Sequence, residues 1–206
     1  MNGFLSTPLT CLAAAVILTS WVGCDQPGDA HISALKEAER RVDAGMNILE
    51  QWHMDSVSAC RERVAMRFKD LDWLVADTSL TFDVNDGQLI GDWARARRYL
   101  KDGPTRLAML KKQGDLCLMQ IGNLSDAIRT GATEDANGTA MDETYLERES
   151  KREIGLAEQW RLAADETARL LTLGIELERR AQMSIDSLIL AKRSEWAQAI
   201  SNPLIE

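Results

Sequence analysis

The chain has 206 residues, 45% of them hydrophobic and 27% charged, with a formal net charge of -8. That balance excludes a disordered tail and leaves enough apolar residues for one sizeable core. The acidic excess opposes non-specific binding to nucleic acid or anionic lipid, so no nucleic-acid partner is expected.

The stretch from Leu9 to Val22 carries no charge and runs into Trp21-Val22-Gly23-Cys24. At about 14 residues it has the length of a signal-peptide core and falls short of the roughly 20 that span a bilayer. The arrangement resembles the lipobox of bacterial lipoproteins, with Trp21 where such boxes usually carry Leu and no Lys or Arg before Leu9. The resemblance covers residues 1–24. It implies that 1–23 is a signal peptide, that Cys24 receives a diacylglycerol, and that the N-terminal lipid holds the protein to a membrane of the cell envelope. Two or more acyl chains anchor stably at about 0.8 kcal/mol per buried CH₂. Asp25 and Asp29 leave the inner and outer membranes both open. Residues 24–30, with Asp25-Gln26-Pro27-Gly28-Asp29, read as a flexible polar tether. Residues 31–206 read as a single helical domain.

Between His31 and Ala76 there is no proline and only Gly45. Met46, Leu49, His53, Val57, Cys60 and Val64 recur at three- and four-residue steps that continue through Phe68, Leu71 and Val75, the spacing of one helix face. Such a helix is roughly 70 Å long. From Asp77 to Gly91 the pattern breaks: Thr78–Val84 looks extended and Asn85-Asp86-Gly87 is a turn signal. Asp92 is placed to cap a short helix through Leu100, which Lys101-Asp102-Gly103-Pro104 stops. Pro104 suits the first position of the next helix.

That helix runs to about Thr130. Leu107, Gly114 and Ile121, interleaved with Leu110, Cys117 and Leu124, keep strict heptad spacing. Gly131 is placed to end it, and Thr139 followed by Asp142 reads as the cap of the last helix. This last helix reaches about Ile200, near 90 Å if unbroken. It carries two adjacent seams, one through Leu156, Trp160, Thr167 and Gly174, the other through Ala164, Leu171, Ile175 and Ile185. Two seams imply two partner helices. The expected fold is therefore all-α, an elongated, coiled-coil-like antiparallel three-helix bundle with an irregular connection at about 77–103. The last helix overshoots the middle one, and segment 77–103, with Trp93, Tyr99 and Leu100, is the natural cover for its final 30 or so residues.

Chemistry-bearing patterns are few. Glu50-Gln51-Trp52-His53 is half the ligand set of a di-iron bundle, but the only other histidine is His31, so neither metal nor cofactor is expected. Asp83-Val84-Asn85-Asp86-Gly87 resembles the start of a calcium loop with its glycine one place early, and reads as a turn. Ser56 and Cys60 lie near His53 on one helix, without a third orienting group, and no catalytic residue is assigned. Arg95, Arg97, Arg98 and Lys101 form a basic cluster in an acidic chain, a candidate contact for an acidic protein partner. Cys60 and Cys117 are a candidate disulfide. If 77–103 is the whole hairpin bend, the two sit within about 3 Å axially on antiparallel helices. The expected role is a non-enzymatic, lipid-anchored interaction or scaffold protein. The alternatives are a small-ligand or metal binder with an interhelical cleft near Trp52 and His53, and an envelope enzyme.

Overall fold

The computed structural model describes residues 28–201. The signal segment, the lipobox, Cys24 and the tether through residue 27 lie outside the described residues. Within them the chain is all-helical: α1 is Asp29–Glu50, α2 Met54–Ala76, α3 Val84–Leu100, α4 Gly103–Arg129 and α5 Glu143–Ser201. The one β-type pairing among the described residues is an isolated bridge, Glu134 to Ala140, inside the α4–α5 loop. No helix of the described residues is long and apolar enough to cross a membrane.

Helix α5, 59 residues and about 88 Å long, is the spine. Its buried positions step by threes and fours: Ala157, Trp160, Ala164, Thr167, Leu171 and Gly174, extended back to Ser150 and Glu153 and forward to Lys192, with Ile189 buried besides next to Leu188. This one heptad seam draws alternately on the two expected seams. Its polar members (Ser150, Glu153, Glu178 and Lys192) concealed it from a reading that counted apolar residues only. Leu156, expected within a seam, stands 42% exposed.

The first part of α5 packs against α1 and α4, and the second part against α2 and α3. Along α1 and α2 the order of contacts follows that of α5, from His31 beside Glu143 to Asp77 beside Trp196. Along α3 and α4 it is reversed, from Lys192 near Asp86 to Trp160 against Leu110 and Gly114. The Trp160 indole enters between two helices at residues that lack a Cβ. A methyl group at Gly45 would lie 2.7 Å from the ring, and one at Gly114 would lie 2.8 Å from it. Its Nε1–H donates to the Leu110 carbonyl at 2.8 Å, so the one polar atom of the ring is satisfied in the core.

Two expectations are corrected. The helix expected over 31–76 breaks at Gln51-Trp52-His53, with no glycine or proline to announce it. The buried positions explain the break: Leu35, Val42 and Leu49 step by sevens, but the next heptads run Val57, Val64, Leu71, one residue late. A continuous helix would rotate the second set about 100° off the core, and the break restores it. The 77–103 segment is not an irregular connection. Asp83 caps α3 at Val84 through a box in which its carboxylate accepts from the Asp86 N–H and the Asp86 carboxylate accepts from the Asp83 N–H. The Asn85-Asp86-Gly87 turn signal is thus the first turn of a helix. Trp93, Leu100, Leu107, Gly114 and Ile121 hold heptad phase straight through the two-residue α3–α4 junction.

Helix ends follow local chemistry. Gly131, at φ +68°, terminates α4, and the next N–H, that of Ala132, reaches back to the Ala127 carbonyl. The cap of α5 is Asp142, whose carboxylate accepts from the Tyr145 N–H at 2.8 Å. Thr139 instead donates its N–H to Asp135 within the loop. Segment 77–103 does cover the far half of α5: Trp93 and Leu100 are buried, and Leu100 packs into the gap left by Gly174.

Candidate interaction surface

Helix α3 buries Trp93, Ala96 and Leu100, and the Trp93 Nε1–H donates to the Val64 carbonyl at 3.1 Å. The four expected basic residues occupy the rest of its circumference and do not act as one patch. Arg95 pairs with Asp92 on its own helix. Arg97 lays its guanidinium 4.2 Å over the Phe68 ring of α2. Arg98 faces a 190 Å³ cleft between the α3–α4 junction and α5, lined also by Tyr99, Asp102, Arg106 and Leu170. Arg98, Lys101 and Arg106 have no ion pair among the described residues. Arg106 was not singled out from the sequence, since it lies beyond the Gly103-Pro104 step; only the in-phase junction brings it beside Arg98.

This cleft is one end of a groove between α4 and α5. At mid-length a 360 Å³ hollow is lined by Gln113, Leu116, Cys117, Gln120, Leu156 and Trp160, with Leu116 and Leu156 exposed. Beyond it a 440 Å³ hollow contains Glu134, Asp135, Tyr145, Glu149, Arg152 and Glu153. Asp135 accepts from the N–H groups of Asn137 and Thr139 and from the Tyr145 hydroxyl, with Thr139 the leading cause. These bonds hold its carboxyl below the usual range. The groove therefore carries Arg98 and Arg106 at the α3–α4 junction, exposed leucines in the middle and four carboxylates near the α4–α5 loop, of which Glu149 pairs with Arg148 and Arg152 and the buried Glu153 with Arg152.

Interhelical charge concentrates on the opposite end of the molecule. Arg63 meets the buried Glu178 at 2.8 Å, Arg67 meets Asp186 at 2.7 Å, and Arg193 meets Asp70 at 2.6 Å. Trp73 and Trp196 stack edge-to-face at 5.0 Å, and the Trp196 Nε1–H donates to Asp77. Hydrogen bonds from Ser79 above all, and then from Trp196, hold the Asp77 carboxyl low.

The other sequence candidates are scattered. Cys60 and Cys117 are free thiols at different heights and do not form the expected disulfide. Cys60 lies beside Glu178 and Cys117 beside Glu153. These partners are 25 residues apart on α5, roughly 37 Å along the axis. The expectation failed because it spent 77–103 on a bend, whereas the chain turns within 77–83 and α3 pairs with α2. Burial, followed by the Glu178 charge, pushes the Cys60 thiol up to about 11. His53 is an exposed N-cap at the α1–α2 break, and no cleft described here gathers it with Trp52 or with carboxylates. Among the described residues no group of three His, Cys, Asp or Glu side chains is placed to hold a metal ion. The chain matches no protein-family model, no curated protein and no solved structure.

Proposed function

We propose that this is a lipid-anchored helical protein of a bacterial cell envelope with a non-enzymatic interaction or scaffold role, its body an elongated antiparallel three-helix bundle. The reading of the body is supported by the continuous heptad seam of α5 and by the opposite running order of its contacts with α1–α2 and α3–α4. The observation that carries the role is the set of exposed cations at the α3–α4 junction, Arg98, Lys101 and Arg106, of which Arg106 lies near Glu166 and the other two have no ion pair, on a chain of net charge -8. Exposed guanidinium groups beside an apolar cleft recognise acidic protein surfaces.

Two measurements test it. Metabolic fatty-acid labelling of the full chain labels the wild type and not Cys24→Ser, which also leaves the membrane fraction; a labelled Cys24→Ser overturns the anchor. Photocrosslinkers at positions 95, 98 and 101 trap the same envelope protein in cells, and charge reversal at Arg98 and Lys101 removes the adduct. No specific adduct from any of the three positions overturns the partner contact.

A further inference from the structure

The cleft at the α3–α4 junction gathers polar side chains from three helices that make no bond with one another. Arg98 comes from the end of α3, Arg106 from the first turn of α4, Asp102 from the step between them and Thr167 from α5. Among the described residues neither arginine forms an ion pair. Asp102 forms none either, and its carboxylate does not cap α4. Two guanidinium groups and a carboxylate thus share one 190 Å³ space with their hydrogen-bonding capacity unspent. Glu166, which lies near Arg106, is held by Arg169 at 2.7 and 2.8 Å.

Thr167 adds an independent observation. It is 4% exposed, it lines the cleft, and its hydroxyl makes no hydrogen bond among the described residues. Thr172, Ser187 and Ser201 on the same helix donate to the carbonyl four residues back. The Ser150 hydroxyl also lacks a partner but is sealed in the core, whereas Thr167 opens on a space that a ligand can enter. A buried hydroxyl without a partner costs free energy until something bonds it.

Three donor groups from three helices suit a tetrahedral oxyanion better than a planar carboxylate, whose two oxygens a single guanidinium can occupy. The α3 C-terminus meets the α4 N-terminus here, so the two helix dipoles offset and the side chains decide the charge. Asp102 selects among oxyanions. Hydrogen phosphate keeps a proton that a carboxylate can accept, whereas sulfate keeps none and is repelled. The size agrees, since a cavity of about 150 Å³ holds benzene and this cleft therefore takes one small anion.

We propose that the cleft binds one inorganic phosphate ion. Arg98 and Arg106 donate to its oxygens, the Thr167 hydroxyl donates to a third, and the phosphate O–H donates to Asp102. Tyr99 and Leu170 wall the site. This goes beyond the partner reading above, with which it shares Arg98 and Arg106.

The test is isothermal titration calorimetry of the full chain in a mild non-ionic detergent, with inorganic phosphate added at constant ionic strength. Binding is saturable, and sulfate binds about tenfold more weakly or worse. Arg98→Gln weakens phosphate binding by about tenfold or more, and Thr167→Val by about threefold to tenfold. Thr167→Val keeps the side-chain shape and removes a hydroxyl that has no partner, so without phosphate its thermal stability does not fall below that of the wild type. Asp102→Asn abolishes the preference for phosphate over sulfate. O-phosphoserine, whose phosphate is largely unprotonated at neutral pH, binds more weakly than the free ion. An ester that binds more tightly overturns the free ion as the ligand. No saturable binding overturns the proposal, as does binding that Arg98→Gln and Thr167→Val both leave unchanged. It also falls if Arg129→Gln, which removes a cation at the far end of α4, weakens binding as much as Arg98→Gln does. Absent phosphate binding with an adduct still trapped from position 95 or 101 overturns the phosphate site alone. Phosphate binding without any adduct supports the site and overturns the partner contact.

Discussion

The half of the molecule built on α1 and α4 and the half built on α2 and α3 share α5 but close on it by different means. Around Trp160 the seam is apolar and tight: the indole fills the space left by Gly45 and Gly114, and Leu35, Val42, Leu49 and Ile121 are fully buried. Beyond Gly174 the same seam takes in Glu178 and Lys192, and the contact with α2 is laced by Arg63–Glu178, Arg67–Asp186 and Arg193–Asp70. The first half also buries Ser150 and Glu153, but Glu153 pairs with Arg152 of its own helix, so shape fixes this half and interhelical charge registers the second. A helix whose buried positions are all small or apolar can slide by a heptad. Ion pairs at particular heights cannot, which is one use of buried charge that costs stability to keep.

Substitutions separate the two modes. Trp160→Ala removes the central side chain of the apolar half together with its hydrogen bond to the Leu110 carbonyl, and should lower stability by about 3–5 kcal/mol in chemical denaturation. A loss under about 1 kcal/mol would show that the glycine slot is not where that half is held. In the charged half, Arg63→Ala leaves the Glu178 carboxylate buried without its cation and should cost about 3 kcal/mol. Glu178→Gln should cost less, because Arg63 is 46% exposed and water can solvate it once its partner is gone. The reverse order would break the comparison. Gly114→Ala should cost about 1–3 kcal/mol by pressing a methyl group on the Met46 sulfur and the Trp160 ring.

Smaller effects sharpen the contrast. The Asp77 carboxyl is held low in the folded state, so its contribution is present above the unfolded carboxylate value and is lost as pH falls through the folded one. Acid titration should therefore loosen the 77–79 turn and the Trp196 contact, read as a change in tryptophan fluorescence that Asp77→Asn reproduces at neutral pH. Thiol labelling gives the mildest readout: Cys117, half-buried in the groove, should react well before Cys60, which is buried and held protonated by burial and by Glu178. Equal rates would mean that the charged half opens as readily as the groove.

Much of the fold was legible in the chain. The seam of α4, the Gly131 stop, the length of α5 and the cover of its far half all followed from apolar spacing and cap chemistry. Less of the site was legible. Arg98 was visible as part of a basic cluster, but its association with Arg106 was hidden by Asp102-Gly103-Pro104, which reads as a full stop and proves to be a two-residue step in phase. The acidic end of the groove was hidden for a different reason: Glu134 and Asp135 come from a loop, and Glu149 and Glu153 from the next helix, brought to one place by the α4–α5 reversal.

The sequence by itself determined the all-helical class, because period, glycine placement and capping residues act within a few positions of each other. It also contained the one-residue phase slip between Leu49 and Val57, though its meaning depends on knowing which positions are buried. Only the tertiary structure decided that α3 continues the arm of α4, that Cys60 and Cys117 stand far apart, and that Arg98 and Arg106 meet at one end of the α4–α5 groove and four carboxylates at the other. Each of these depends on where the chain reverses. That point is set by the balance of packing along the whole 59-residue length of α5, not by any local signal.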